Sequence, residues 1–192
     1  MGSRNDQSLP AFGFLTVVHH EQHGFFGGYL VLNSSGRPLE FHCTAPVKPN
    51  RAQEILYGPT LEPYLYGEQI GQTLIAKSQN EPMVVCTDLA PVLAVRPYVS
   101  LPVILVLGEH PSSKVGGAGS AAPTAYRVDA AHDRGPSPAA FQVGGNRLAV
   151  AAGYARDQEL AVAGLSAAQH LDLTEPFERI RGAIDEAQRG GR

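Results

Sequence analysis

The stretch Gly27–Cys43, GGYLVLNSSGRPLEFHC, constrains the fold more than any other part of the chain. Two β-rich runs, Tyr29–Leu32 and Leu39–His42, flank the loop Asn33-Ser34-Ser35-Gly36-Arg37-Pro38. Asn and Gly between two such runs predict a β-hairpin. A further strand is expected just before it, at Ala11–Val18, ending in the turn-like segment HHEQHG. The strands Ala11–Val18, Phe25–Leu32 and Pro38–Ala45 then form an antiparallel meander. Tyr29, Leu30, Val31 and Leu32 are apolar on both faces, which places the second strand centrally, covered on each side. Gly27 and Gly28 mark a bulge or a close backbone approach.

Helices follow. Asn50 can cap a helix over Arg51–Tyr57, and Gly58-Pro59 breaks it. Thr60 is the next cap, with Pro63 in the first turn of a helix running to about Ser78. Leu61, Tyr64, Leu65, Gln72 and Ile75 fall on one face of that helix, and Tyr66, Ile70 and Leu74 on the other, so it is expected to be sandwiched. Glu68 projects into the first face; a carboxylate there pairs with an Arg or caps a backbone amide, and Arg51 or Arg96 is the expected partner. Short strands are predicted at Met83–Cys86 and Leu101–Leu107, and a helical turn or loop at Asp88–Val95. Residues 108–146 are dominated by Gly, Ala, Ser and Pro and read as a flexible insertion. Arg147–Tyr154 reads as a strand. Asp157 is expected to cap a helix through about His170, and Thr174 a last helix, Glu175–Arg189. Phe177, Ile180, Ile184 and Ala187 form its apolar stripe. Glu175–Arg179 and Arg181–Asp185 are expected as i,i+4 pairs on its outer face.

The fold class expected is α/β (α+β): a three-strand antiparallel meander, further strands, and packed helices. Residues 1–10 form a disordered N-terminus and 11–107 the α/β core. The insertion is 108–146, and 147–192 complete the same domain. The element order over residues 11–107 resembles the ribonuclease H-like arrangement. That resemblance implies carboxylates on the first strand, the first helix and the end of the fourth strand, because two divalent cations must be held close together. Asp88 stands at a suitable strand end, and Glu68 or Glu54 on the helix. The first strand, AFGFLTVV, offers no acid, so His19 would substitute.

Other chemistry is weighed residue by residue. His19, His20 and His23, with Glu21 between, have ligand types suited to zinc or another divalent ion. Their spacing is not the helical metalloprotease pattern, and His19 and His20 point to opposite faces of a strand. His42, across the sheet, is the expected added ligand. HCTAPVKPNR resembles a tyrosine-phosphatase loop, but Pro49 stands where that loop needs Arg, and Pro46 and Pro49 remove backbone amides from the cradle. VGGAGSAA lacks the strand, helix and Lys-Ser/Thr pair of a nucleotide loop.

A net charge of −3 over 192 residues gives no basic footprint, so nucleic acid is an unlikely partner on this reading. Cys43 and Cys86, the two cysteines, are not a disulfide framework and read as buried hydrophobes in a reducing compartment. The start MGSRNDQSLP lacks the apolar core of a signal peptide, and Asp6 stands where myristoylation wants Ser or Thr. A cytoplasmic protein without membrane contact is expected. The main functional expectation is a non-enzymatic accessory or assembly subunit. It would act through a protein partner, or a second copy, docked on the Phe177, Ile180, Ile184 helix, with no cofactor expected. The competing expectation is a metal-dependent hydrolase, a nuclease or phosphoesterase, using His19, His20, His23, Glu68 and Asp88 with a divalent metal.

Overall fold

The structure is a computed structural model that describes residues 10–108 and 140–190. The expected disordered N-terminus, save residue 10, and residues 109–139 of the expected insertion lie outside the described residues.

The meander forms as its sequence predicts. β1 (Ala11–His20) and β2 (Gly24–Asn33) pair antiparallel along their whole length, from Ala11↔Asn33 to His20↔Gly24. β3 (Pro38–Cys43) pairs with β2, with a register shift at Val31/Leu32. The buried Asn33 closes the β2–β3 turn. Its Oδ1 accepts from the Ser35 and Arg37 amides, at 3.0 Å each, and from the Ser35 hydroxyl at 2.7 Å. Gly36 takes φ 78°, a conformation an L side chain resists. β4 (Val85–Thr87) lies parallel beside β1, and β5 (Val103–Leu107) parallel beside β4. β7 (Asn146–Val150) and β6 (Ala140–Val143) extend the edge antiparallel. Among the described residues the sheet order is β3-β2-β1-β4-β5-β7-β6. β6 and the turn after it belong to the sheet, although their composition had assigned them to the insertion.

Both faces of the sheet are covered. Phe12, Phe14, Leu30 and Leu32 pack against α3 (Ala155–Leu165) and α4 (Glu175–Gly190). Leu15, Val17, Tyr29 and Val31 pack against the helix of residues 61–77, α2, and the 3-10 stretch Ala90–Tyr98. The preceding helix α1 (Arg51–Tyr57) carries a capping box between Asn50 and Gln53. It buries none of its residues. The mixed α/β class is thus the observed one, with helices on two faces of a seven-stranded sheet.

α2 departs from the two-faced helix expected. Its middle, Tyr64–Gly71, is π-helical. The longer hydrogen-bond step rotates the side chains, so Leu65, Gly67, Ile70, Gly71 and Leu74 form one buried stripe. A Cβ on Gly67 would stand 2.7 Å from the Val95 backbone nitrogen, so glycine permits this crossing.

Two charged expectations are also corrected. Asp157 is no cap: it lies buried in the first turn of α3 and forms an ion pair with Arg96. Arg96 and Arg51 do not reach Glu68; Arg51 pairs with Glu54 at 2.9 Å. Cys86 is buried as expected, but Cys43 is exposed. No helix among the described residues is long and apolar enough to cross a membrane.

Candidate functional site

The last helix organises the region around the carboxyl end of β1. Phe177, Ile180 and Ile184, each 2% exposed or less, dock on the chain's own sheet. A helix stripe already covered has no apolar face left for another chain, so the expected partner-docking role of these residues is corrected. The dock is close because β2 has no side chain beneath it: a Cβ on Gly28 would stand 2.2 Å from Ile180 Cγ2. On the opposite face a Cβ on Gly27 would stand 2.1 Å from Ile70 Cγ2. The glycine pair is a close approach from both sides, not a bulge.

Arg181, Asp185 and Gln188 lie one helical turn apart on the flank of α4 beside the buried stripe. Arg181 bonds Glu178 at 2.8 Å and the Asp88 carboxylate, rather than Asp185. The buried Thr16 hydroxyl of β1 donates to the other Asp88 oxygen at 2.7 Å. Asp88, just after β4, therefore has one carboxylate oxygen on a hydroxyl and the other on a guanidinium. The pair Glu175–Arg179 does form, loosely, at 3.7 Å.

Toward the end of α4, Asp185, Gln188 and Arg189 face the β1–β2 turn. Together with His19, His20, Glu21, Gln22 and His23 they line a hollow of about 840 Å³. The turn is fixed by its own backbone, with the His23 amide donating to the His20 carbonyl at 3.1 Å. Lys48 Nζ holds the Gln22 carbonyl at 2.6 Å. This geometry turns two imidazoles toward each other: His20 Nδ1 and His23 Nδ1 are 3.1 Å apart. His19 does not join them; its ring stacks on Phe25, with centroids 4.6 Å apart. The Gln188 amide nitrogen is buried and has no acceptor.

His42, the expected fourth ligand, is elsewhere. Its Nε2 meets Glu40 on the same strand. Glu40 is a structural clamp that sequence reasoning missed. It accepts from the Ser78 hydroxyl at 3.0 Å, the Asn80 side chain at 2.8 Å, and the Gln79 and Asn80 amides. Burial pushes its carboxyl upward, but the bonds from Asn80, His42 and Gln79 outweigh that and hold the pKa at about 2. Glu68 accepts from Tyr98, and that bond raises the Tyr98 hydroxyl. It lines a different depression, with Thr44, Thr73 and Lys77, at the helix layer on the other side of the sheet.

The two-cation centre implied by the ribonuclease H-like resemblance does not fit these positions. Thr16 stands in β1 where an acid is wanted, Glu68 is tied to Tyr98 across the sheet, and Asp88 is neutralised by Arg181. Among the described residues no three His, Cys, Asp or Glu side chains come together as a metal cage.

No family model and no curated protein matches the chain. Two solved structures similar to it are of endonuclease V from Ciona intestinalis, both in complex with DNA containing an inosine followed by a ribo-adenosine. One is 19% identical, with a TM-score of 0.35, over 57% of this chain and 51% of that one. The other is 20% identical, with a TM-score of 0.33, over 57% and 52%. The chain spans about half the length of these structures. They are nucleases holding nucleic acid. Beside these neighbours two expectations are set aside as corrections: a non-enzymatic accessory subunit, and nucleic acid as an unlikely partner. Neither is carried forward.

Proposed function

We propose that the chain is a hydrolase of phosphoester bonds, of nuclease or phosphoesterase type, dependent on a divalent metal. Its working centre is the hollow at the carboxyl end of β1. The observation that carries this reading is the pairing of His20 and His23 across 3.1 Å in the same hollow as Asp185 and Gln188. Open α/β sheets hold ligands at the carboxyl ends of their strands, and the hollow occupies such an end. A divalent ion at the imidazole pair would polarise a phosphoryl oxygen. The chain's own groups supply the rest. The Gln188 amide, now without an acceptor, would donate to a phosphate oxygen. Arg181 and Asp88 hold α4 in place one turn away and keep the hollow's width. The endonuclease V likeness suggests the first substrates to try, DNA strands with and without inosine.

The test is hydrolysis of bis-p-nitrophenyl phosphate and of single- and double-stranded DNA and RNA by the purified chain, across a panel of divalent cations. Turnover should require a cation and fall at least about tenfold in His20→Ala and His23→Ala. Glu68→Gln, altered on the other face of the sheet, should turn over normally. Hydrolysis of none of these substrates with any cation would refute the reading.

A further inference from the structure

We propose that the hollow is a site for a borderline transition-metal ion of the zinc, nickel or copper type, with His20 Nδ1 and His23 Nδ1 as its two nitrogen ligands. The inference deepens the hydrolytic reading, and rests on it only for what the ion does; binding stands on the geometry alone.

Three observations support it. First, the separation fits. Two ring nitrogens each about 2.0–2.1 Å from one ion, at angles between a right angle and the tetrahedral value, stand about 2.9–3.4 Å apart. The observed 3.1 Å lies in that window. Second, the ring attitude fits. The centroids are only 4.6 Å apart, with the planes inclined at 54°. The two Nδ1 atoms face each other across neighbouring rings, where a single ion would take the place of the hydrogen bond now joining them. Third, the surroundings suit a charged guest. Asp185 and Glu21 outnumber Arg189 in the lining of the hollow, and the buried Gln188 amide donor lacks an acceptor that an ion-bound water would provide.

Ligand chemistry sets the class of ion. Neutral imidazole suits zinc, copper and nickel, whereas magnesium and calcium want oxygen cages with carboxylates. Asp88, just after β4, already has the Arg181 guanidinium for a partner. Two protein nitrogens leave several coordination positions to water or substrate, the open arrangement of a working site.

The experiment is isothermal titration of the purified chain with zinc, nickel and magnesium chlorides, with Cu(II) paramagnetic resonance on the copper-loaded chain. One zinc or nickel ion should bind per chain, magnesium should not compete, and the copper spectrum should show coupling to two nitrogens. His20→Ala and His23→Ala should each weaken binding at least about tenfold, and His170→Ala, outside the hollow, should leave it unchanged. None of these side chains is buried, so their unliganded melting curves should match the parent. No binding, or binding that ignores His20→Ala and His23→Ala, overturns the inference. Binding without hydrolysis would sink the proposed function and leave the metal site standing. Hydrolysis with no metal bound at the pair would sink the metal site and leave the activity to another centre.

Discussion

Replacing Arg96 with Met isolates a buried electrostatic commitment of the fold. Asp157 is 1% exposed. Its oxygens accept from Arg96 Nε at 2.5 Å and Arg96 Nη2 at 2.9 Å, with the Val103 amide further off at 3.4 Å. Arg96 also donates to the Val99 carbonyl at 2.8 Å and stacks over Tyr154 at 4.6 Å. One guanidinium thus joins the 3-10 stretch, the approach to β5 and the first turn of α3. Without it, a carboxylate stays in the interior with one distant amide, which costs about 3–5 kcal/mol. That is a large part of the roughly 5–15 kcal/mol that holds a domain together. At a urea slope of about 2 kcal/mol per molar, the midpoint should fall by roughly 2 M. The double variant Arg96→Met, Asp157→Leu should regain most of the loss, because two buried charges have become two apolar groups of similar size. What remains is the orphaned Val99 carbonyl, about 1 kcal/mol. Equilibrium urea unfolding of the parent, both single variants and the double closes the cycle. A single variant costing under about 1 kcal/mol, or a double no more stable than Arg96→Met, would refute the assignment.

Glu40 has a folded pKa of about 2 against an ordinary 4.5, so its contribution is present above pH 4.5 and is lost as pH falls from there toward 2. Glu40→Gln should cost about 1–3 kcal/mol at pH 7 and flatten the acid limb of a thermal-melt series between those two pH values; an unchanged limb would dismiss the clamp. Ile180→Ala, at a side chain with no exposure, should cost about 2–5 kcal/mol in the isolated chain. A loss below about 0.5 kcal/mol would mean that α4 does not dock on its own sheet.

Legibility in the sequence followed the range of the interactions. β1 to β3 could be read because alternation and turn chemistry are local, and Asn33 and Gly36 act within four residues of one another. The Asn50 cap of α1 was equally local. The Phe177-Ile180-Ile184 stripe was legible as a stripe, but periodicity cannot say what covers it, and its own sheet does. The π-helical turn at Tyr64–Gly71 defeated a 3.6-residue reading of α2. β6 was hidden because Gly- and Ala-rich composition outweighed four strand residues, Ala140–Val143. The region of the site was half legible. The histidines announced themselves as a cluster. Asp185 read as part of a solvated outer face, since pattern does not separate a flank from an outer side. Thr16 and Arg181 meet at Asp88 across 72 and 93 positions of chain. No signal in a single sequence carries that meeting.

The two hydrogens of Gly28 have a reach beyond their own strand. Any methyl there would lift α4 away from β2, and the helix carries Arg181, Asp185 and Gln188 on one rigid rod. Raising the rod would part the guanidinium from Asp88 and draw the Asp185 end back from the imidazoles. The mouth of the hollow is thus gauged from below, by a position in the middle of the sheet that touches none of its walls.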